Sequence, residues 1–472
     1  MFSVGHATSR GVWVATFVAT LLLLWPICGA AQRSVAAHTS VEDQKKIRIA
    51  IEAYDQGKLR EAEPLLSTLV ERHPQSYELN EALGGLYSET GEVGRALPLL
   101  VRAMHLSPMD PVAHANLGAT YLKLGKNGEA VREMQRAATL DPKNGQMLSN
   151  LGQSLMADGR PKEAASAFSR AADVLPGQPE IRYNSALALY KSGAIKEADA
   201  ELRRLPEAAR GEQAHSLLAE VDEKLGQYKE AISEYQAAAQ ISPNEENLFA
   251  LTAELLRHWT WDEAIQIADF GASRYPASKR LRVAGGIARY ANNDYKGAAP
   301  VFADLLRQEP ENATFADLLG RSCSLLTDGE EAGCNGIFEF AQRHPGNAVT
   351  TTYAAVAILH EPREKQNLDQ AESLLKTAID RDPNYGEAWL RMGMLQQLEL
   401  RWADSATSLE RAVATNAESA EAHYRLSRTY ARLGRRDEAQ TQTELYKSCS
   451  DKAKASLNKR MQEVMKFVLT PG

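Results

Sequence analysis

Apolar residues in this chain fall at helical rather than strand spacing. Between Pro111 and Asn144, His114, Leu117, Gly118 and Tyr121 step by three, one and three, which sets them on one stripe of a helix. Gly125 follows where a helix end needs a left-handed residue. Ala130, Met134 and Ala137 then form the stripe of a second helix, and Asp141-Pro142 ends it, because the residue before proline resists the helical region. Gly118 and Ala130 sit where the two helices cross, and larger side chains there would force the hairpin open.

The same phasing recurs. Glycine returns every 34 residues at Gly57, Gly91, Gly125, Gly159 and Gly193; alanine does so at Ala62, Ala96, Ala130, Ala164 and Ala198; proline does so at Pro74, Pro108, Pro142 and Pro176. Three phased residue types repeating together mark an array of one helix-turn-helix unit. A fixed period of this kind reads as a repeat architecture rather than as several globular domains.

The quoted positions resemble the tetratricopeptide repeat: Leu83-Gly84-Tyr87-Gly91-Ala96-Leu100-Ala103-Pro108, then Leu117-Gly118-Tyr121-Gly125-Ala130-Met134-Ala137-Pro142, then Leu151-Gly152-Leu155-Gly159-Ala164-Phe168-Ala171-Pro176. The resemblance spans residues 43–449 in about 12 copies, the later ones less regular. Trp259 stands where glycine is usual, copy ten carries extra residues around Glu361 to Asn367, and a polar helix from about Asp451 to Val468 is expected to cap the array within 450–472. The fold this implies is all-α, a right-handed superhelical solenoid whose first helices line a concave wall.

Composition adds limits. Of 472 residues, 44% are apolar, 24% charged and only 7% aromatic, and the formal charge of -7 leaves no basic footprint for nucleic acid. The basic stretch of Lys452, Lys454, Lys459, Arg460 and Lys466, set against Asp451 and Glu463, reads as a solvated helix face. At the N-terminus, the apolar run from Val12 to Ile27, with Arg10 before it and Gly29, Ala30 and Ala31 after it, has the layout of a secretory signal over residues 1–31. A short linker over 32–42 follows it. The expected location is periplasmic or secreted; the alternative is an uncleaved inner-membrane anchor and hence a membrane association. Cys323, Cys334 and Cys449 are too few for a disulfide framework, yet Cys323 and Cys334 lie on the two helices of one degenerate copy and form a candidate disulfide.

For function, Asn116, Asn150 and Asn184 recur at the sixth position of successive first helices. An asparagine side chain offers both a donor and an acceptor, the complement of a peptide bond, so a row of them holds an extended backbone whatever its sequence. The row resembles the asparagine ladder of the O-linked N-acetylglucosamine transferases. The alternative is that each asparagine bonds the neighbouring repeat and sets the stack. Tyr183 and Tyr190 are expected to face the same groove and favour capture, since aromatic groups with a polar tip suit interfaces.

A chaperone-tail clamp is not expected, because the fifth positions hold Ile47, Glu81, Ala115, Ser149 and Tyr183, with no lysine. No metal-ligand spacing, nucleophile elbow or phosphate loop is found; His114, His215 and His423 occupy packing positions, and Gly84-Gly85 and Gly285-Gly286 read as packing glycines. The expectation is therefore a non-enzymatic scaffold without cofactor or metal, binding protein or peptide partners. Two alternatives are an envelope assembly factor for pilus or polysaccharide export, and a non-catalytic subunit acting on glycan or peptidoglycan. The scattered Trp259, Trp261, Trp389 and Trp402 read as packing residues rather than as a sugar platform.

Overall fold

The structure is a computed structural model that describes residues 40–326, 333–359 and 365–469; the signal-like segment lies outside the described residues, as do residues 360–364 of the insertion expected in copy ten. The described residues contain 24 α-helices, one short 3-10 turn at Glu207–Ala209 and no strand. The chain forms two compact units that divide after Val174.

In the first unit the hairpins are α1 (Val41–Asp55) with α2 (Leu59–Arg72), α3 (Tyr77–Glu89) with α4 (Val93–Leu106), α5 (Pro111–Lys123) with α6 (Asn127–Leu140), and α7 (Gly145–Ala157) with α8 (Pro161–Val174). The second unit opens with α9 (Pro179–Lys191) and α10 (Ile195–Arg203), α11 (Glu212–Leu225) and α12 (Tyr228–Ile241), α13 (Glu245–Arg257) and α14 (Trp261–Arg274), α15 (Lys279–Ala291) and α16 (Tyr295–Gln308). It continues with α17 (Ala313–Cys323) and α18 (Asn335–Arg343), α19 (Ala348–Leu359) and α20 (Lys365–Arg381), α21 (Gly386–Leu398) and α22 (Trp402–Thr415), α23 (Ala420–Arg432) and α24 (Arg436–Leu469).

Most first helices start on a side-chain cap. Ser76, Asp110, Asn144, Asn244, Ser278 and Ser419 each accept a bond from a backbone N–H of the first turn, satisfying a donor that the helix itself leaves open. Within each hairpin the turn is tighter. At Gly125, φ is 69°, Gly125 N–H donates to Leu122 O at 3.0 Å and Lys126 N–H to Tyr121 O at 2.9 Å, the double bond of a Schellman turn. The same two bonds persist at Leu400, where φ is 60°, although a side chain in that region is strained.

The two helices of a hairpin meet at a second, helical glycine. A Cβ on Gly84 would stand 2.7 Å from Leu100, one on Gly118 3.0 Å from Met134, one on Gly152 2.7 Å from Phe168, one on Gly286 2.7 Å from Phe302 and one on Gly393 2.6 Å from Leu409. The bulky partner, sixteen residues on, fills the room that the glycine leaves, and each of these partners is almost wholly buried. Hairpins then stack: α1 touches α3, α3 touches α5 and α5 touches α7, so successive first helices lie side by side in the first unit.

The degenerate hairpin of α17 and α18 has shortened helices, and a disulfide joins Cys323 to Cys334 with Cα atoms 6.0 Å apart, inside a cluster with Phe302, Leu319 and Phe340. One boundary differs from the sequence reading. The capping helix expected to begin near residue 450 is the uninterrupted continuation of α24, because no glycine or proline lies between Arg436 and Leu469 to end it. Among the described residues no helix is long and apolar enough to cross a membrane.

Gly152→Ala is expected to destabilise the chain by about 1–3 kcal/mol through overpacking against Phe168, whereas Gly159→Ala, with open space around it, costs about 1 kcal/mol through backbone strain alone. Leu400→Gly runs the other way, with a gain of up to about 1 kcal/mol, since the side chain is 69% exposed and little packing is lost. Urea midpoints of the three variants test the set; a Gly152→Ala protein as stable as the wild type would show that the crossing is not tight.

Candidate functional site

The first helices of the first unit form a wall whose polar side chains reach sideways. Tyr54 on α1 donates its hydroxyl to Glu89 on α3 at 2.9 Å. Asn116 on α5 donates to Glu81 on α3 at 2.5 Å, and Lys123 on α5 donates to the Ser88 carbonyl at 2.6 Å. Every one of these bonds joins adjacent hairpins, so the first three hairpins are tied side to side.

Asn116 therefore takes the stacking role, directed at a neighbouring side chain rather than at a backbone. Asn150 accepts a bond from Gln146 of its own helix at 3.0 Å. Asn184, half-buried on α9, makes no side-chain hydrogen bond among the described residues. The first two lie in the first unit and the third in the second.

Around Asn184, Tyr183 and Tyr190 pack against the cluster of Leu217 and Leu218. Burial pushes the Tyr183 hydroxyl up to about 12, with the Glu220 carboxylate adding to the effect. The Tyr190 hydroxyl is also raised, by burial first and then by its hydrogen bond to Glu220, and Lys224 Nζ lies 5.5 Å from its ring. Both rings thus present a protonated hydroxyl beside a carboxylate at ordinary pH.

Glu81 was visible in the sequence only as a non-lysine at a clamp position. Burial raises its carboxyl to about 7; the Asn116 hydrogen bond opposes the rise, while Asp110, Asp55 and Glu89 reinforce it. Nothing in the 34-residue pattern marks this group, since the signal is the lateral neighbour, one repeat away, that only stacking supplies.

The fourth position of the first helices has a structural role. Asn80 Nδ2 donates to Pro74 O at 3.0 Å, Trp389 Nε1 to Pro383 O at 2.8 Å, and the Nε2 atoms of His114 and His423 lie 3.0 Å from Pro108 O and Ala417 O. Each tie fastens a helix to the turn that precedes it. His114 and His215 also reach carboxylates on the second helix, Glu133 at 2.7 Å and Glu234 at 2.6 Å. These histidines are buried connectors, and among the described residues no group of His, Cys, Asp and Glu is disposed to hold a metal ion. The tryptophans are less scattered than the sequence suggests, because Trp259 and Trp261 stack with centroids 6.0 Å apart and planes 22° apart at the turn between α13 and α14.

Because the Glu81 carboxyl ionises at about 7 in the folded chain and near 4.5 when unfolded, the unfolded state loses its proton first and stability falls as pH rises through that window. Glu81→Gln is expected to flatten this slope, and Asn116→Ala to steepen it, by on the order of 1–2 kcal/mol. Denaturation midpoints across the window decide: a slope unaltered by Glu81→Gln would mean that the carboxyl is already ionised in the native state.

Three models of the tetratricopeptide repeat match the chain, one over residues 47–111, 115–179, 283–332 and 400–452, another over 155–221 and a third over 212–245. The human protein O-mannosyl-transferase TMTC1 is 24% identical over 189 residues, which is 40% of this chain and 21% of that protein, so the chain spans about a fifth of the length of this curated relative. Among solved structures, YrrB, described as a tetratricopeptide-repeat protein with an unusual peptide-binding site, shows 22% identity and a TM-score of 0.37 over 40% of this chain and 97% of its own. PilF of Pseudomonas aeruginosa shows 18% identity and a TM-score of 0.37 over 43% of this chain and 94% of its own. With the repeat models together matching more than half of its residues, the chain belongs to the tetratricopeptide-repeat family.

Proposed function

We propose that this chain is an exported scaffold that holds extended peptide segments of partner proteins against the first-helix faces of its units. Tetratricopeptide repeats are protein-interaction scaffolds, generally non-catalytic, and bind protein or peptide partners. The observation that carries the finer reading is Asn184: a half-buried amide without a hydrogen-bond partner among the described residues, next to two tyrosines whose hydroxyls stay protonated. A solvent-accessible amide with no internal partner offers a donor and an acceptor complementary to a peptide backbone. Export is supported by the apolar run from Val12 to Ile27 with small residues after it.

A second reading has its own observation. The stacked Trp259 and Trp261 offer two indole faces at one hairpin turn, with Trp259 held at φ 63° in a region that bulky residues avoid. This favours glycan contact by a non-catalytic subunit, and saturable oligosaccharide binding lost in Trp261→Ala is its signature. A role in pilus or polysaccharide export is a third setting for the same scaffold, distinguished by co-purification with a pore or pilus subunit.

The peptide reading is tested with photo-crosslinking residues placed in intact cells at positions 184 and 190 on α9 and, as a control, at the exposed position 196 on α10. Adducts to a defined partner are expected from the two α9 positions alone, and Asn184→Ala is expected to weaken that partner at least tenfold while helicity is unchanged. Equal adducts from position 196 would place the partner elsewhere.

A further inference from the structure

The last helix outruns the hairpin that it closes. Along α24 the contacts with its partner step toward the start of α23: Gln442 Oε1 lies 2.6 Å from His423 Nδ1, Tyr446 packs on Tyr424 with ring centroids 5.4 Å apart, and Cys449 Sγ donates to the Ala417 carbonyl at 3.7 Å. Ala417 precedes Ser419, the cap of α23, so at Cys449 the hairpin has ended. The helix nevertheless continues to Leu469. Its residues from Ser450 onward extend it by about 30 Å past the last hairpin.

Gln442, Tyr446 and Cys449 lie on the face that α24 turns toward α23, and the same face continues by steps of three and four through Ala453, Leu457, Met461, Val464 and Val468. The stripe stays apolar after its partner stops. α24 also touches α12, but that helix has 14 residues, about 21 Å, and the large apolar side chain that it exposes is Ile241, so most of the stripe is left uncovered.

Charge is segregated onto the same segment. Lys452, Lys459 and Lys466 recur every seven residues on the line opposite the stripe, while Lys454 and Arg460 fall at its two borders. Lys452 and Lys454 are exposed. Set against Asp451 and Glu463, the five cations leave this segment at +3 in a chain of net charge -7, so the rest of the chain carries -10. An apolar stripe bordered by long cationic side chains, on a helix of low overall hydropathy, matches the boundary between acyl chains and anionic headgroups, where the border cations reach phosphates while their stems stay in the apolar layer. Among the described residues no helix is long and apolar enough to cross a bilayer, so the helix would lie in the surface rather than span it.

We propose that residues 450–469 of α24 form an amphipathic anchor that seats in the surface of an anionic lipid bilayer and holds the end of the repeat array there. The anchor lies apart from the α9 surface and does not rest on the peptide-capture reading.

Nitroxide labels test it on the whole chain, under non-reducing conditions with Cys449→Ser, placed at Met461→Cys in the stripe or at Lys459→Cys on the opposite line. With vesicles of phosphatidylcholine and phosphatidylglycerol, the label at position 461 is expected to become shielded from an aqueous nickel reagent, and the label at 459 to stay accessible. Half-maximal shielding is expected at a lipid concentration at least about tenfold lower than with phosphatidylcholine alone, as three net charges near an anionic surface imply, and added salt should reverse the gain. Val464→Glu, which puts a charge into the stripe, is expected to raise that concentration at least about tenfold with helicity retained. Local labels keep this readout apart from anything that the apolar run Val12 to Ile27 contributes. Shielding at 461 already complete without vesicles would place the stripe against protein, α12 included; that result, no shielding by either lipid, or equal shielding by both would each overturn the assignment.

Discussion

The close crossing of two helices at a single glycine is the contact on which the rest depends. Where Gly84, Gly118, Gly152, Gly286 or Gly393 meets a buried bulky residue sixteen positions on, the backbones approach as near as side chains allow, and the hairpin becomes one rigid unit. A rigid hairpin buries little by itself. It becomes stable by burying side chains such as Leu83, Tyr87 and Leu117 in a cluster shared with its neighbours, so cohesion is a sum of neighbour terms rather than one central core. Such an arrangement lets the polar positions of the first helices differ from copy to copy.

That freedom separates three kinds of polar residue on otherwise equivalent helices. Fourth-position side chains such as His114 and His423 fasten a helix to its preceding turn and are structural. Lateral pairs such as Asn116 with Glu81 join one hairpin to the next and place a carboxyl where ionisation is costly. A third kind, represented by Asn184, has no partner within the described residues, and in the proposed function it is this kind that a peptide partner completes.

Much of the fold was legible in the sequence because it rests on local rules repeated at a fixed step: a glycine that turns left-handed, a small residue at the crossing, a proline after the second helix. Gly125, Gly118 and Pro142 each act as their spacing implies. The extent of α24 was misjudged because a capping role suggests a separate element, whereas helix termination needs a residue that breaks the backbone pattern, and Arg436–Leu469 contains none. The site was less legible. Asn116, Asn150 and Asn184 are identical in register, yet what each does is set by its surroundings: Glu81 one repeat away for the first, Gln146 of its own helix for the second, neither kind of partner for the third.

Oxidative footprinting of the chain in intact cells and in purified form compares the two faces of a hairpin most directly. The account predicts that Tyr190, on a first helix, is protected in cells relative to the purified protein, while Phe270, half exposed on the second helix α14, is labelled equally in both. Protection of Phe270 with Tyr190 unchanged would contradict it.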